Sequence, residues 1–254
     1  MATIISVHSF RGGTGKSNTL ANLAALFALR GLRVGVIDTD IQSPGIHILF
    51  GFDHSRLAHS LNDYLWGKCD VTAAAYDVTD AVAGATGALF LIPASIKAGE
   101  ITRVLRQGYD VGLLNDGFQQ LIRRLQLDVL MIDTHPGLNE ETLLSIAISD
   151  ALVMVMRPDA QDYEGTGVAI QVARQLDVPR LCLIVNKTPP AFGLQAVGER
   201  VKAAYGCEVI AVLPHADEMM TLASAGLFVL RHPQHPITES LRRVCEVLIP
   251  AQKT

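Results

Sequence analysis

Seven largely apolar runs of strand length punctuate the chain, at residues 4–7, 33–37, 89–92, 129–132, 152–156, 181–185 and 209–213. They are apolar almost throughout instead of alternating with polar residues, the pattern of strands covered on both faces. Between them the spacing turns helical. Leu20, Leu23 and Phe27, with alanines between, predict a helix over 16–29, and Gly31 offers its stop. Similar spacing predicts helices over 57–66, 112–125, 141–148, 165–176, 195–205 and 238–248. Strands separated by helices predict an α/β fold, with a mostly parallel central sheet, helices on both faces and right-handed crossovers. Residues 68–87, alanine-rich and punctuated by Asp and Thr, yield no clear element.

No Gly-, Ser- or Pro-rich stretch or charge block divides the 254 residues, so a single domain over 1–254 is expected. Hydrophobic residues make up 49% and charged residues 18%, which sets a disordered chain aside. The formal charge of −4 argues against a globally basic nucleic-acid binder but leaves local patches open. Cys69, Cys182, Cys207 and Cys245 form no CxxC pair, which disfavours zinc and a cluster cradle and makes reduced thiols the better reading. Residues 1–8 are too short for a secretory leader and lack its basic start, and no apolar run reaches the ~20 residues that span a bilayer. A cytoplasmic protein is expected.

The chemistry begins after the first strand. Phe10-Arg11-Gly12-Gly13-Thr14-Gly15-Lys16-Ser17 matches the phosphate-loop pattern, with Phe10 where the first glycine is usual. Gly12, Gly13 and Gly15 let backbone N–H groups turn around phosphate oxygens, and the following helix adds the partial positive charge of its N-terminus. Lys16 is placed to reach the β- and γ-phosphates, and Ser17 to offer a hydroxyl to Mg²⁺. The plain alternative, a glycine-rich turn with an incidental Lys-Ser, is disfavoured by the strand–loop–helix context. Asp38-Thr39-Asp40 follows at the carboxyl end of the second strand, where open α/β sheets place their ligands. Residues 129–132 run apolar into Asp133, the pattern of the second acid of a phosphate-loop site. Either acid alone reads equally well as a capping turn, but with the loop they point together to ATP and Mg²⁺.

On these residues the sequence resembles the MinD/ParA group of P-loop ATPases, whose deviant Walker A motif places a lysine before the paired glycines. The resemblance covers nearly the whole chain. It takes in Arg11 to Ser17 as the loop, Asp38-Thr39-Asp40 as switch I, and Asp133-Thr134-His135-Pro136-Gly137 as Walker B running into switch II. Arg157-Pro158-Asp159, Val185-Asn186-Lys187 and Leu213-Pro214 continue it. The resemblance implies an ATP-dependent homodimer that positions a cellular cargo with an activating partner. It implies that Asp40 orients the attacking water and that Lys16 and Arg11 serve the phosphates. Gly12, Gly13, Thr14, Gly15, Lys16, Ser17 and Asn18 would hold the nucleotide with Asn186 and Pro214, and Ser17, Asp38 and Asp133 would serve Mg²⁺. Tyr163-Glu164-Gly165 resembles the segment such proteins place near the dimer face. Guanine recognition needs an Asp three residues after the Asn; Pro189 stands there, so adenine is favoured.

The sequence departs from that family at Phe10 and Arg11. Phe10 replaces Gly or Gln, a change the remaining glycines absorb. Arg11 replaces the signature lysine, exchanging a compact ammonium for a planar fork of five donors and altering the contact across a dimer. Two other functions stay open: a weakly hydrolysing scaffold of the same fold, and an iron–sulfur protein of the nitrogenase iron protein type. Arg103 with Arg106, Arg123 with Arg124, and Arg231 with Arg242 and Arg243 could touch DNA phosphates; without aromatic interleaving, solvated helix faces are the leading account. His135 reads as a switch-loop residue, because phosphoryl transfer depends on positioning and charge stabilisation. His215, His232 and His235 lack convincing metal-ligand spacing. The final segment, Ile249 to Thr254, is too short and weakly basic to lie among lipid headgroups, so no direct membrane binding is expected.

Overall fold

The computed structural model describes residues 2–250. Its strands are β1 (Thr3–His8), β2 (Arg33–Asp38), β3 (Tyr76–Asp77), β4 (Ala88–Ile92), β5 (Val129–Asp133), β6 (Ala151–Met156), β7 (Leu181–Thr188) and β8 (Glu208–Pro214). They form one eight-stranded sheet in the order β3-β4-β2-β5-β1-β6-β7-β8. Every neighbouring pair runs parallel except β3 with β4. β5 and β6 are buried along their whole length, which is why they read as unbroken apolar runs. β3 falls in the stretch that yields no element from sequence. Only two residues long, it is held by pairing Tyr76 to Leu91 and Asp77 to Phe90 instead of by any periodicity of its own.

The helices are α1 (Lys16–Leu29), α2 (Ile46–Leu49), α3 (Leu61–Leu65), α4 (Ala98–Gln107), α5 (Gly112–Leu125), α6 (Glu140–Ala147), α7 (Ala160–Gln175), α8 (Leu194–Tyr205), α9 (Asp217–Leu222), α10 (Phe228–Arg231) and α11 (Pro236–Leu248). Two expected boundaries move, both because of caps. The helix predicted over 57–66 shrinks to α3, because Ser60 and Asp63 close a capping box that starts it late. The helix predicted from 165 begins at Ala160, because the Asp159 side chain accepts the Asp162 N–H and caps it. The short helices α2, α9 and α10, and the amphipathic α4, are not anticipated by the sequence.

One face of the sheet packs on α1 and α11, and the other divides into two clusters, one under α3 and α5 and one under α7 and α8. α1 is enclosed on almost every side, with residues Leu20 to Ala28 all buried against the sheet, α2, α10 and α11. Its alanines let neighbouring backbones come close, and its first turn carries the phosphate loop. Among the described residues no helix is long and apolar enough to cross a membrane. The expectation about the chain's last segment falls partly on residues 251–254, which lie outside the described residues.

Because α1 anchors the loop, its largest buried side chain sets much of the local stability. Phe27 exposes no surface. Phe27→Ala is expected to lower the unfolding free energy by roughly 3–5 kcal/mol, read from urea denaturation.

Candidate functional site

The loop between β1 and α1 turns through two left-handed glycines, Gly13 at φ 78° and Gly15 at φ 94°. Gly15 is also the N-cap of α1, and no side chain caps that terminus, so the first N–H groups of the helix point to a ligand role. A Cβ on Gly15 would come within 2.4 Å of Asn186 Nδ2. That close approach has a purpose: Asn186 donates to the Thr14 carbonyl at 2.9 Å and accepts the Lys187 N–H at 2.8 Å, bracing the loop from the end of β7. Lys187, in the left-handed region at φ 55°, folds its ammonium back to the Gly13 carbonyl at 2.8 Å.

Two cavities meet here. One, of about 270 Å³, is lined by Gly12 to Asn18 together with Ser9, Asp40, Pro136 and Lys187. The other, of about 260 Å³ and mostly apolar, runs between α1, α9 and α11 past Asn186, Pro214, Met219, Ile237 and Leu241. They share Gly15, Asn18 and Lys187. Sequence reasoning finds Asn186 and Pro214 but misses the apolar wall, because α9 is too short to show a period. Lys187 is visible beside Asn186, yet its reach to the loop depends on a backbone angle that no sequence pattern announces.

Beneath the loop cavity the register of the sheet sets Asp38 of β2 beside Asp133 of β5. Both are buried, and neither lines the cavity itself. Lys16 Nζ lies 2.5 Å from Asp133 Oδ1, a buried ion pair. Asp38 accepts the N–H groups of Asp40 (3.1 Å) and Gly45 (3.2 Å). Burial, and then the neighbouring Asp133 charge, push the Asp38 carboxyl well above the usual carboxylate range, with Lys16 acting against them. Three carboxylates, Asp38, Asp40 and Asp133, thus surround a single buried ammonium.

The next segment is fixed from two sides. The Thr134 hydroxyl donates to the Val7 carbonyl at 3.1 Å, and His8 Nδ1 lies 2.8 Å from the same oxygen. Since that hydroxyl has one proton and spends it on Val7, His8 carries its proton on Nδ1 and donates. His8 Nε2 is buried with no partner among the described residues. Burial first, then Lys16 and His135, bring the His8 pKa down to about 3. His135, whose contacts the sequence leaves open, lies with Nδ1 2.6 Å from Asp40 Oδ1.

Arg11 does not point away from its own chain. Its guanidinium lies 3.5 Å from Asp162 Oδ1 and 3.9 Å from Asp159 Oδ1, beside Arg157, whose Nε is 3.2 Å from both acids. Phe10 explains why α7 carries glycine at 165: a Cβ there would meet the Phe10 ring at 2.1 Å. Of the basic clusters read from sequence, one residue, Arg103, lies over an aromatic ring. Trp66 lies between Arg103, 4.3 Å above its ring, and Lys68 at 5.1 Å. Lys68 is paired with Asp63 at 2.7 Å and reaches Glu100 at 3.9 Å, and Arg124 lies 3.9 Å from Asp70.

A glycine loop wrapped around the N-terminus of a buried helix, with a lysine held over an acid on the adjacent strand, defines a P-loop nucleotide-binding protein on a mostly parallel sheet. The chain belongs to the AAA domain family AAA_31, whose model matches residues 2–178, and has the fold of the MinD/ParA ATPases. It is similar to an uncharacterized ATP-binding protein of Methanocaldococcus jannaschii, at 28% identity over 99% of this chain and 89% of that one. It is also similar to an iron–sulfur cluster carrier protein of Pyrococcus furiosus, at 23% identity over 96% and 85%. The septum site-determining protein MinD of Pyrococcus horikoshii, solved with Mg-ADP, superposes with a TM-score of 0.81 at 19% identity, covering 98% of this chain and 97% of that one.

The buried His8 makes stability depend on pH with a definite sign. In the unfolded chain this histidine titrates near its ordinary value of 6.5, whereas the folded protein refuses the proton until pH falls to about 3. Stability from this residue is therefore complete above 6.5 and is lost as pH falls, by up to about 1.4 kcal/mol per pH unit. Urea melts between roughly pH 6 and roughly pH 5 are expected to show a shallower pH slope for His8→Gln than for the wild type.

Proposed function

We propose that residues 1–254 form one MinD/ParA-like ATPase domain, a cytoplasmic Mg²⁺-dependent ATPase whose ATP-joined homodimer positions a cellular cargo. The observation that carries this reading is the junction of the two cavities. A cradle of backbone N–H groups and cations adjoins an apolar slot across Gly15, Asn18 and Lys187, an arrangement that suits a nucleotide with its phosphates in the first and its base in the second. The ATP-binding relative, and the neighbour solved with Mg-ADP, support it.

The donor set fits Mg²⁺. Three carboxylates around one buried ammonium leave an excess of negative charge, expressed in the raised Asp38 pKa, which a divalent cation would relieve. Ser17 and Asp133, with Asp38 behind them, would hold the ion, and when bound it would neutralise charge on the phosphate oxygens. Lys16 spends one ammonium donor on Asp133 and offers the others to the phosphates. In hydrolysis the oxygen of a water bonds to the γ-phosphorus, the bond to the bridging oxygen breaks, ADP leaves, and both protons of the water end on the released phosphate, which departs as dihydrogen phosphate. Asp40, on the wall of the loop cavity, orients that water.

The dimer reading rests on where apolar surface is left exposed. Of the exposed large apolar side chains, Ile48 follows β2, Ile96 follows β4, Phe192 and Leu194 follow β7, and Met220 follows β8, on connections that leave the carboxyl ends of strands, whereas Val168 lies within α7. Arg11 likewise follows the carboxyl end of a strand, β1, with its own side chain 39% exposed; its pairs are long, one to the half-exposed Asp159 and one to the buried Asp162, and Arg157 also holds both acids, so neither is left without a cation when Arg11 swings to a partner's phosphates. DNA is the weaker choice of surface, because acidic side chains already face Lys68 and Arg124. The iron–sulfur reading has relatives in its favour, but burial pushes the Cys182 thiol up to about 11 and Cys245 up to about 12, against the thiolates a cluster needs.

Lys16→Ala is expected to abolish ATP binding in calorimetry, and wild-type affinity in that variant would refute the site. For the dimer, light scattering of Asp40→Ala with ATP is expected to show a pair that Asp40→Ala with Arg11→Ala does not form. Equal dimerisation of the two would remove Arg11 from the interface.

A further inference from the structure

His135 joins the connection after β2 to the connection after β5. Its Nδ1 lies 2.6 Å from Asp40 Oδ1, which also accepts the Ser43 N–H at 3.1 Å. An ionised carboxylate only accepts, so Nδ1 carries the proton and donates it. Both bonds fall on Oδ1. Asp40 Oδ2 takes no hydrogen bond from the described residues, and Asp40 lines the loop cavity beside Lys16 and Ser17. The backbone that carries the ring is anchored. Thr134 before it is bonded to Val7 and His8 on β1, and the His135 carbonyl accepts the Thr142 hydroxyl of α6 at 3.2 Å.

We propose that His135 is a positioning residue for hydrolysis: through Nδ1–H it pins one oxygen of Asp40 and so presents the other to the attacking water. This rests on reading the loop cavity as an ATPase site. In this role His135 acts through Asp40 and not on the phosphate. A carboxylate free to rotate about its side-chain bonds would spend most of its time misaligned, and small misplacements of a positioning group cost large factors in rate. Because the ring is carried by the segment that follows Asp133, the alignment of Asp40 also depends on that segment being in place, which ties the two switch connections into one unit.

The substitutions that separate alignment from mere loop bracing follow from the geometry of imidazole. Asn places its amide N–H near the position of Nδ1–H, whereas Gln reaches the position of Nε2. Steady-state ATP hydrolysis is compared for wild type, H135N, H135Q and H135A, with ATP affinity measured by calorimetry. H135A and H135Q are expected to lose about 10-fold or more in kcat, H135N to stay within about 3-fold, and all three to keep ATP affinity within about 2-fold. Adding H135A to D40A is expected to cost no further activity, because the two residues act as one unit. If H135A does not fold, H135Q carries the comparison. The proposal is overturned if H135A or H135Q turns over at the wild-type rate, if H135N falls as far as H135A, or if affinity falls with kcat. Absence of ATP turnover in the wild type would instead overturn the hydrolytic reading, and this proposal with it.

Discussion

Two carboxylates buried side by side on adjacent strands need a cation, and much of this structure follows from supplying one. The register of β2 against β5 fixes Asp38 next to Asp133 before any ligand is considered. Lys16 must then reach Asp133 from the far side of the loop, which requires the chain to turn sharply between β1 and α1. Left-handed glycines make that turn, and a fully enclosed α1 keeps it from shifting. The remaining imbalance shows at Asp38, whose carboxyl burial and the neighbouring Asp133 charge push well above the usual carboxylate range against the pull of Lys16. A scaffold arranged this way is stable enough to fold but is completed electrically only by what it binds.

The sheet, the loop and the two strand-end acids were legible because each is local in sequence. Apolar runs fully covered by helices announce themselves, and so does a glycine loop between strand and helix. The edge strand β3 was not legible, since its two residues are strand only by virtue of β4. Ser60 and Asp159 were weak signals that outweighed helical spacing, moving the starts of α3 and α7. The resemblance assigned Asn186 to the base; the structure adds a part the sequence does not show, since its amide N–H also braces the loop at Thr14 while it lines the apolar cavity. Arg11 could be read as an unusual residue, but not as one resting on Asp159 and Asp162, which lie about 150 positions away in the chain.

The histidines divide along the same line. His8 and His135 acquire their partners only because β1, β5 and the connection after β2 converge, and nothing in their spacing tells them apart from the histidines near the C-terminus. His235 accepts the Ile237 N–H at the start of α11 and stacks its ring edge-on against Phe228, a structural part. His8 is sealed neutral under the loop. His135, 22% exposed, is the one that links the connections after β2 and β5, through Asp40.

Phe10 and Gly165 restrict each other in a way that orders their history. The ring occupies the volume that any side chain at 165 would need, so alanine at 165 and phenylalanine at 10 are mutually exclusive in this backbone. A lineage could adopt the aromatic residue only once position 165 was already glycine, and after that the glycine is locked in. Glycine in mid-helix costs roughly 0.5–1 kcal/mol relative to alanine, a penalty that selection would otherwise erase. In this backbone, then, a side chain at 165 requires the Phe10 ring to move or be lost.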